Sequence, residues 1–212
     1  MSNFIICGEL GSGKDTFASL LPGHEQVAFA DKLKHIAYTL RSQGPGLAAY
    51  EMKQLLPKVP LDQIVSDFVE AVNRFPYDPP KDRPLLQWLG TDYGRSFDND
   101  IWIKALKQKL QNYTKEVIVT DCRFRNELYA FPDYVSVYVD IAPEIQEERV
   151  TLRDGSFDPT RRTHISETGV RELRKYCDYI IPNNQSLGDL RNIVDLISHW
   201  GKPIYKVEFK EG

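Results

Sequence analysis

Residues 8–14 read Gly-Glu-Leu-Gly-Ser-Gly-Lys, which fits the pattern G-x-x-x-x-G-K. Glycines at this spacing let the backbone curl until several N–H groups point inward at a phosphate chain, and the lysine supplies a mobile positive charge for a phosphoryl group in transfer. Gly11, Ser12, Gly13, Lys14, Asp15 and Thr16 are therefore the candidate cradle for donor phosphates. A second candidate lies at Val117–Asp121, an apolar run closed by an acid. An acid at a strand end beside such a loop can orient Mg²⁺ through water, and Arg123, two residues on, is placed to reach a substrate phosphate. The competing reading is that Asp121 caps a helix beginning at Cys122.

Other side chains could complete such a site. Arg95 sits in a polar stretch, Gly90–Asp100, where an arginine can grip a phosphate with two parallel bonds or form a surface ion pair. Arg149, Arg153, Arg161 and Arg162 fall in or beside a turn-rich basic segment, Arg153–His164. Cations there could stabilise charge on transferring oxygens or line a solvated helix face. His164 reads as a structural hydrogen-bonder. Trp88 and Trp102 could stack on a base, with core packing the blander reading. Gln87 could read a base edge or cap a helix. Asn183 and Asn184 follow an apolar run and could border a donor base or form a turn.

The elements that must position these residues alternate between strands and helices. Short apolar runs predict strands at Asn3–Cys7, Gln26–Ala30, Glu116–Thr120, Tyr134–Ile141 and Asp178–Ile181, with Lys206–Lys210 as an edge strand. Helices are predicted over Lys14–Leu21, after Asp31 acting as a cap, over Leu47–Leu56 and Asp62–Asn73, from Asp98 or Asn99 to Leu110, after Pro143, and after the capping box Ser186–Asp189. Pro76, Pro79, Pro80 and Pro84 predict one loop, and residues 44–84 read as an insertion or mobile arm. Strand–helix alternation predicts a parallel sheet with helices on both faces, and right-handed crossovers gather the strand C-terminal ends on one edge. No internal repeat or low-complexity tract interrupts this pattern.

Composition narrows the class. The chain has 212 residues, 42% hydrophobic and 27% charged, with a net charge of −3. One domain with a buried core is expected, and a duplex-DNA binder is disfavoured. No apolar run approaches ~18 residues, the length of a membrane-spanning helix. The N-terminus shows no signal-peptide pattern. Cys7, Cys122 and Cys177 are scattered and odd in number, as expected of reduced thiols in the cytoplasm.

Several pieces together resemble the deoxynucleoside monophosphate kinases of large bacteriophages. They are Gly13-Lys14-Asp15-Thr16, Phe29–Lys34, Leu86–Asp92 with Arg95 and Trp102, Thr120–Glu127, and His164–Glu167. The hydroxyl two places after the lysine, at Thr16, is similar to the Gly-Lys-Gly-Thr of nucleoside monophosphate kinases, and Asp178–Asn184 resembles the base-proximal end of many such enzymes. The resemblance runs from residue 4 to about residue 197. It implies a P-loop kinase fold, three-layer α/β/α with a mainly parallel sheet, as one domain over residues 1–212. Residues 31–102 would be the helical monophosphate-binding insertion and 149–167 the lid. It implies ATP and Mg²⁺, the metal near Thr16 and Asp121 and partly held through water. Asp31, Lys32, Lys34, Gln87, Trp88, Gly90, Thr91, Arg95 and Arg123 would serve the acceptor. Lys14, Asp121, Arg123, Arg153 and Arg162 would serve the transfer, Arg149, Arg153, Arg161 and Arg162 the lid, and Asn183 and Asn184 the donor base. Small-molecule partners, no polymeric nucleic acid, no membrane and a cytoplasmic location (the host's if the chain is phage-encoded) are expected, with a homodimer left open. Dephospho-CoA kinase, phosphomevalonate kinase and a non-catalytic nucleotide-binding protein are the alternatives.

Overall fold

The computed structural model describes residues 2–79, 82–158, 165–200, 203 and 205–209, with the side chains of 165–168 and 200 outside that description. In chain order its elements are β1 (Phe4–Cys7), α1 (Lys14–Leu20), β2 (Glu25–Val27), α2 (Ala30–Ser42), α3 (Pro45–Leu55), α4 (Leu61–Arg74) and α5 (Arg83–Gln87). A π-helical turn, Trp88–Tyr93, joins α5 to α6 (Gly94–Phe97). Then come α7 (Ile101–Leu110), β3 (Val117–Cys122), α8 (Arg125–Tyr129), β4 (Val135–Asp140), α9 (Pro143–Asp154), α10 (Ile165–Leu173), β5 (Tyr179–Pro182), α11 (Leu187–Trp200) and β6 (Val207–Glu208). They form two compact units, Met1–Ala28 with Tyr113–Gly212, and Phe29–Asn112.

The first unit is a mixed α/β body. Its six strands, among the described residues, run in the order β2-β3-β1-β4-β5-β6, and every pairing is parallel. The predicted parallel sheet is what the chain forms. All four residues of β1 and the first five of β4 are buried, because helices cover both faces of central parallel strands. One face carries Phe4, Ile6, Ile118, Val137, Val139 and Ile181 against Phe17 of α1 and Leu190, Val194 and Ile197 of α11. Polar pins fix the register. The Asn3 side chain accepts from the Val117 amide at 2.8 Å, and its carbonyl accepts from the Val135 amide at 2.8 Å. Asp178 accepts from both the amide and the hydroxyl of Ser136, at 2.8 and 2.7 Å. From β1 the chain crosses past β3 to β2, whereas from β3 it crosses the other way, past β1 to β4. That reversal is a topological switch point, and α/β sheets bind ligands at the strand C-terminal ends beside one.

The second unit is helical. Ile36, Leu40, Met52, Ile64, Phe68, Leu85, Leu89 and Trp102 are buried in it. Arg41 donates to both carboxylate oxygens of Asp82, at 2.7 and 3.3 Å, and to the Phe75 carbonyl at 2.6 Å. The clamp holds Asp82 at φ 41°, a left-handed conformation uncommon outside glycine, so α5 starts from a pinned backbone.

Several boundaries differ from expectation. Asp31 is not a cap. Helix α2 begins at Ala30, and Asp31 in its first turn accepts from Lys109 at 2.8 Å. Pro84 lies in the first turn of α5, where its missing N–H is harmless, while Pro80 is outside the described residues. Helix α7 starts after Asp100, whose amide donates to the Asp98 side chain at 3.0 Å. Helix α10 was not foreseen. The Ser186–Asp189 capping box is present, each side chain accepting from the other residue's amide.

The three cysteines are buried free thiols. Burial pushes Cys122 up to about 11 and is the leading cause holding Cys7 well above its ordinary value; Cys177 is raised by its hydrogen bond to Cys7 and by burial. The nucleophilic thiolate is therefore scarce near neutrality. Ellman's reagent should leave the native protein unlabelled on the timescale in which all three thiols of the denatured chain react.

Candidate active site

The phosphate loop occupies the turn between β1 and α1. Gly8 has φ 148° and a Cβ there would stand 2.6 Å from the Val139 carbonyl, so the chain can leave β1 this close to β4 only without a side chain. Gly13 has φ 92°, and a Cβ would overlap the Asn183 amide. Both positions therefore need glycine, for backbone conformation and for space. The first intrahelical bond of α1 joins the Phe17 amide to the Gly13 carbonyl at 2.9 Å, so the amides of Lys14, Asp15 and Thr16 precede it.

Two buried amide side chains hold the loop from behind. Gln146 on α9, 3% exposed, donates Nε2 to the Leu10 carbonyl at 2.7 Å. Asn183, 7% exposed after β5, donates Nδ2 to the Ser12 carbonyl at 2.7 Å. These bonds engage two loop carbonyls, whose lone pairs would repel a phosphate if they faced it. The Asn184 side chain accepts from the Ala142 amide at 2.7 Å and ties the end of β5 to the start of α9. Lys14 donates Nζ to the Glu9 carbonyl at 3.0 Å. Ser12 Oγ is buried with no hydrogen-bond partner, the single such side-chain atom among the described residues. Asp15 and Thr16 are exposed at the start of α1.

Strand β3 runs on through Asp121 to Cys122, and the next helix begins only at Arg125. Asp121 is therefore a strand-end acid and not a helix cap. Cys122 pairs with Cys7, the residue before the phosphate loop, which sets the end of β3 beside that loop. Buried Glu127 shapes the following turn, accepting from the Arg123 and Phe124 amides at 2.7 and 3.1 Å. The Arg123 side chain is half-buried. On α9, Arg149 faces the loop: a Cβ on Gly13 would lie 3.9 Å from its Nη1. Arg153 is paired with Asp154 at 2.8 Å. That hydrogen bond is the main cause raising the Arg153 pKa, with the charge of Asp15 among the lesser ones. Arg161, Arg162 and His164 lie outside the described residues.

The helical unit carries the remaining expected residues. Lys32 pairs with Glu51 at 2.7 Å, and His35 reaches the same carboxylate at 3.1 Å. Burial raises the Glu51 pKa, but the hydrogen bond and charge of Lys32 outweigh it, so Glu51 stays below the usual carboxylate range. Lys34 and Gln87 are exposed, and Thr91 is half-buried. Arg95 donates to the Asn99 carbonyl at 2.8 Å. Trp88 stacks on Tyr93 with ring centres 4.7 Å apart. Buried Trp102 donates Nε1 to the Gly90 carbonyl at 2.8 Å, and a Cβ on Gly90 would meet Leu33 at 2.9 Å. Gly90 thus has a packing reason to be glycine.

The site's chemistry fits a polyphosphate with a hard cation. A glycine cradle, a lysine, flanking arginines and a buried unpartnered hydroxyl suit the phosphates. Thr16 and Asp121 offer oxygen donors of the kind Mg²⁺ takes. No group of three or more His, Cys, Asp or Glu suited to a metal occurs among the described residues. Sequence reasoning missed Gln146 and the loop-facing role of Asn183, whose partners are remote in the chain. Asn183→Leu should strip the Ser12 carbonyl of its buried donor and cost about 1–3 kcal/mol in urea unfolding.

Comparison with known proteins bears on the fold and the family. No curated protein matches the chain. Among solved structures, TT1252 from Thermus thermophilus is 20% identical with a TM-score of 0.50, covering 92% of this chain and 95% of that one. A dephospho-CoA kinase from Campylobacter jejuni is 18% identical with a TM-score of 0.49, covering 95% and 98%. The family model for deoxynucleotide monophosphate kinase matches residues 68–194, from α4 through the end of β3 and the loop anchors Gln146 and Asn183 into α11. The chain is a phosphotransferase and belongs to the deoxynucleotide monophosphate kinase family.

Proposed function

We propose that the enzyme transfers the terminal phosphoryl group of ATP to the phosphate of a deoxynucleoside monophosphate, releasing ADP and the deoxynucleoside diphosphate. The observation that carries this reading is the phosphate loop, a glycine cradle ending in Lys14 whose carbonyls are held by buried side-chain amides. The loop amides of residues 11–16 and Lys14 bind the donor phosphates. Lys14 leaves the Glu9 carbonyl to do so. Bound Mg²⁺ would neutralise charge on the donor oxygens, with Thr16 and Asp121 as its protein oxygens.

Arg95 and Arg123 serve the acceptor phosphate, and Asp31, Lys32, Lys34, Gln87, Trp88, Gly90 and Thr91 serve the acceptor. Arg149 covers the loop, and Arg153, Arg161 and Arg162 add positive charge where the transferred oxygens become more negative. Asn184 borders the donor base and Asn183 supports the loop beneath it. The acceptor phosphate has a second pKa of about 6, so it is ionised near neutrality and no general base is required. Catalysis is alignment plus charge stabilisation, without a covalent intermediate. Residues 31–102 act as the acceptor-binding insertion and 149–167 as the lid. The substrates are small molecules and not polymeric nucleic acid, the setting is the cytoplasm, and β6 is the edge at which two subunits would pair.

Lys14→Ala should keep the parent's circular dichroism and melting temperature and lose transfer by a factor of roughly 10²–10³, the range expected when a transition-state charge contact is removed. A folded Lys14→Ala protein with parental turnover would contradict the reading.

A further inference from the structure

The side chain of Glu9, the second residue of the phosphate loop, has no part in the scheme above. A carboxylate there opposes any ligand carrying several negative charges, because unit charges a few ångströms apart at a protein surface interact by kilocalories. The structure shows that carboxylate taken up. Arg171 of α10 donates Nε to Glu9 Oε1 at 2.5 Å, and the Glu9 side chain is 13% exposed against 49% for Arg171.

Helix α10 is fixed independently of this pair. Arg174 donates Nε to Asp140 at the end of β4 at 2.9 Å and also pairs with Glu208 of β6. Val170 and Leu173 are buried. Gly169 brings the helix close to the Arg123 carbonyl, where a Cβ would stand 3.3 Å away. A helix anchored on the strand ends thus holds a guanidinium against the one acidic side chain between Gly8 and Lys14.

We propose that Arg171 is a positioning residue for the donor nucleotide. It acts through Glu9, neutralising and orienting that carboxylate so that the loop presents positive potential to the polyphosphate. The inference rests on the kinase reading only in taking ATP as the ligand. Neither residue needs to touch the reacting atoms.

The test is a double-mutant cycle on the full chain, with ATP dissociation constants from isothermal titration and kcat and KM for both substrates. Arg171→Gln should raise the Kd and KM for ATP roughly three- to tenfold, a Coulomb term reduced by solvent screening, and leave the acceptor KM in place. Glu9→Gln should lower the Kd, because Arg171 is then uncompensated. The double variant Glu9→Gln/Arg171→Gln should return to within about twofold of the parent, the non-additivity expected of a directly interacting pair. A double variant as weak as Arg171→Gln would overturn the proposal, since Arg171 would then be touching phosphate itself or merely bracing α10. An unchanged Kd in Arg171→Gln would overturn it too. If Arg171→Gln does not fold, Glu9→Gln alone decides: an unchanged or raised Kd overturns the proposal. A parent protein that binds no ATP would instead overturn the kinase reading.

Discussion

The constraint on which the rest of the structure depends is that a phosphate-binding loop must turn its amides inward and its carbonyls outward. Glycine makes that curl accessible but does not select it. In this chain two buried amide side chains select it, Gln146 on the Leu10 carbonyl and Asn183 on the Ser12 carbonyl. Each bond replaces water on a carbonyl that would otherwise be buried unpaired, at a penalty of about 1–3 kcal/mol. The donors sit on α9 and at the end of β5, so the loop's shape is enforced by the sheet that places those elements.

That arrangement explains why the fold has the topology it does. β1 lies between β3 and β4, and the chain leaves it toward α1 at the point where strand order reverses. β3 brings Asp121 beside the loop, β4 leads into α9 with Gln146 and Arg149, and β5 ends in Asn183. The charges follow the same plan. Lys14 and Arg149 stand at the loop, Arg171 offsets Glu9, and Arg174 ties α10 to Asp140. The helical unit is organised by packing and by buried polar clamps such as Arg41 on Asp82.

Much of this was legible in the sequence because its signals are local. A glycine pattern between an apolar run and a helical stretch, a strand closed by an acid, and a Ser-x-x-Asp cap each span a few residues. The parallel sheet followed from strand–helix alternation. What escaped reading was set at a distance. Gln146 and Asn183 meet the loop across 136 and 171 residues of sequence, and no local pattern announces an amide's remote partner. The π-helical turn at Trp88–Tyr93 escaped because its ring stack joins residues five apart, outside the three- and four-residue spacings by which helices are recognised. Helix α10 escaped because its large apolar residues, Ile165, Val170 and Leu173, are too few and too unevenly spaced to declare a stripe.

The central claim is phosphoryl transfer from ATP to a deoxynucleoside monophosphate. The most direct measurement is coupled ADP release with ATP and Mg²⁺ against dAMP, dGMP, dCMP, dTMP, dUMP, 5-hydroxymethyl-dCMP, the ribonucleoside monophosphates, dephospho-CoA and phosphomevalonate. The account predicts acceptor-dependent turnover with one or more of the deoxynucleotides. Turnover with dephospho-CoA or phosphomevalonate alone, or ATP binding with silence across the whole panel, would contradict it.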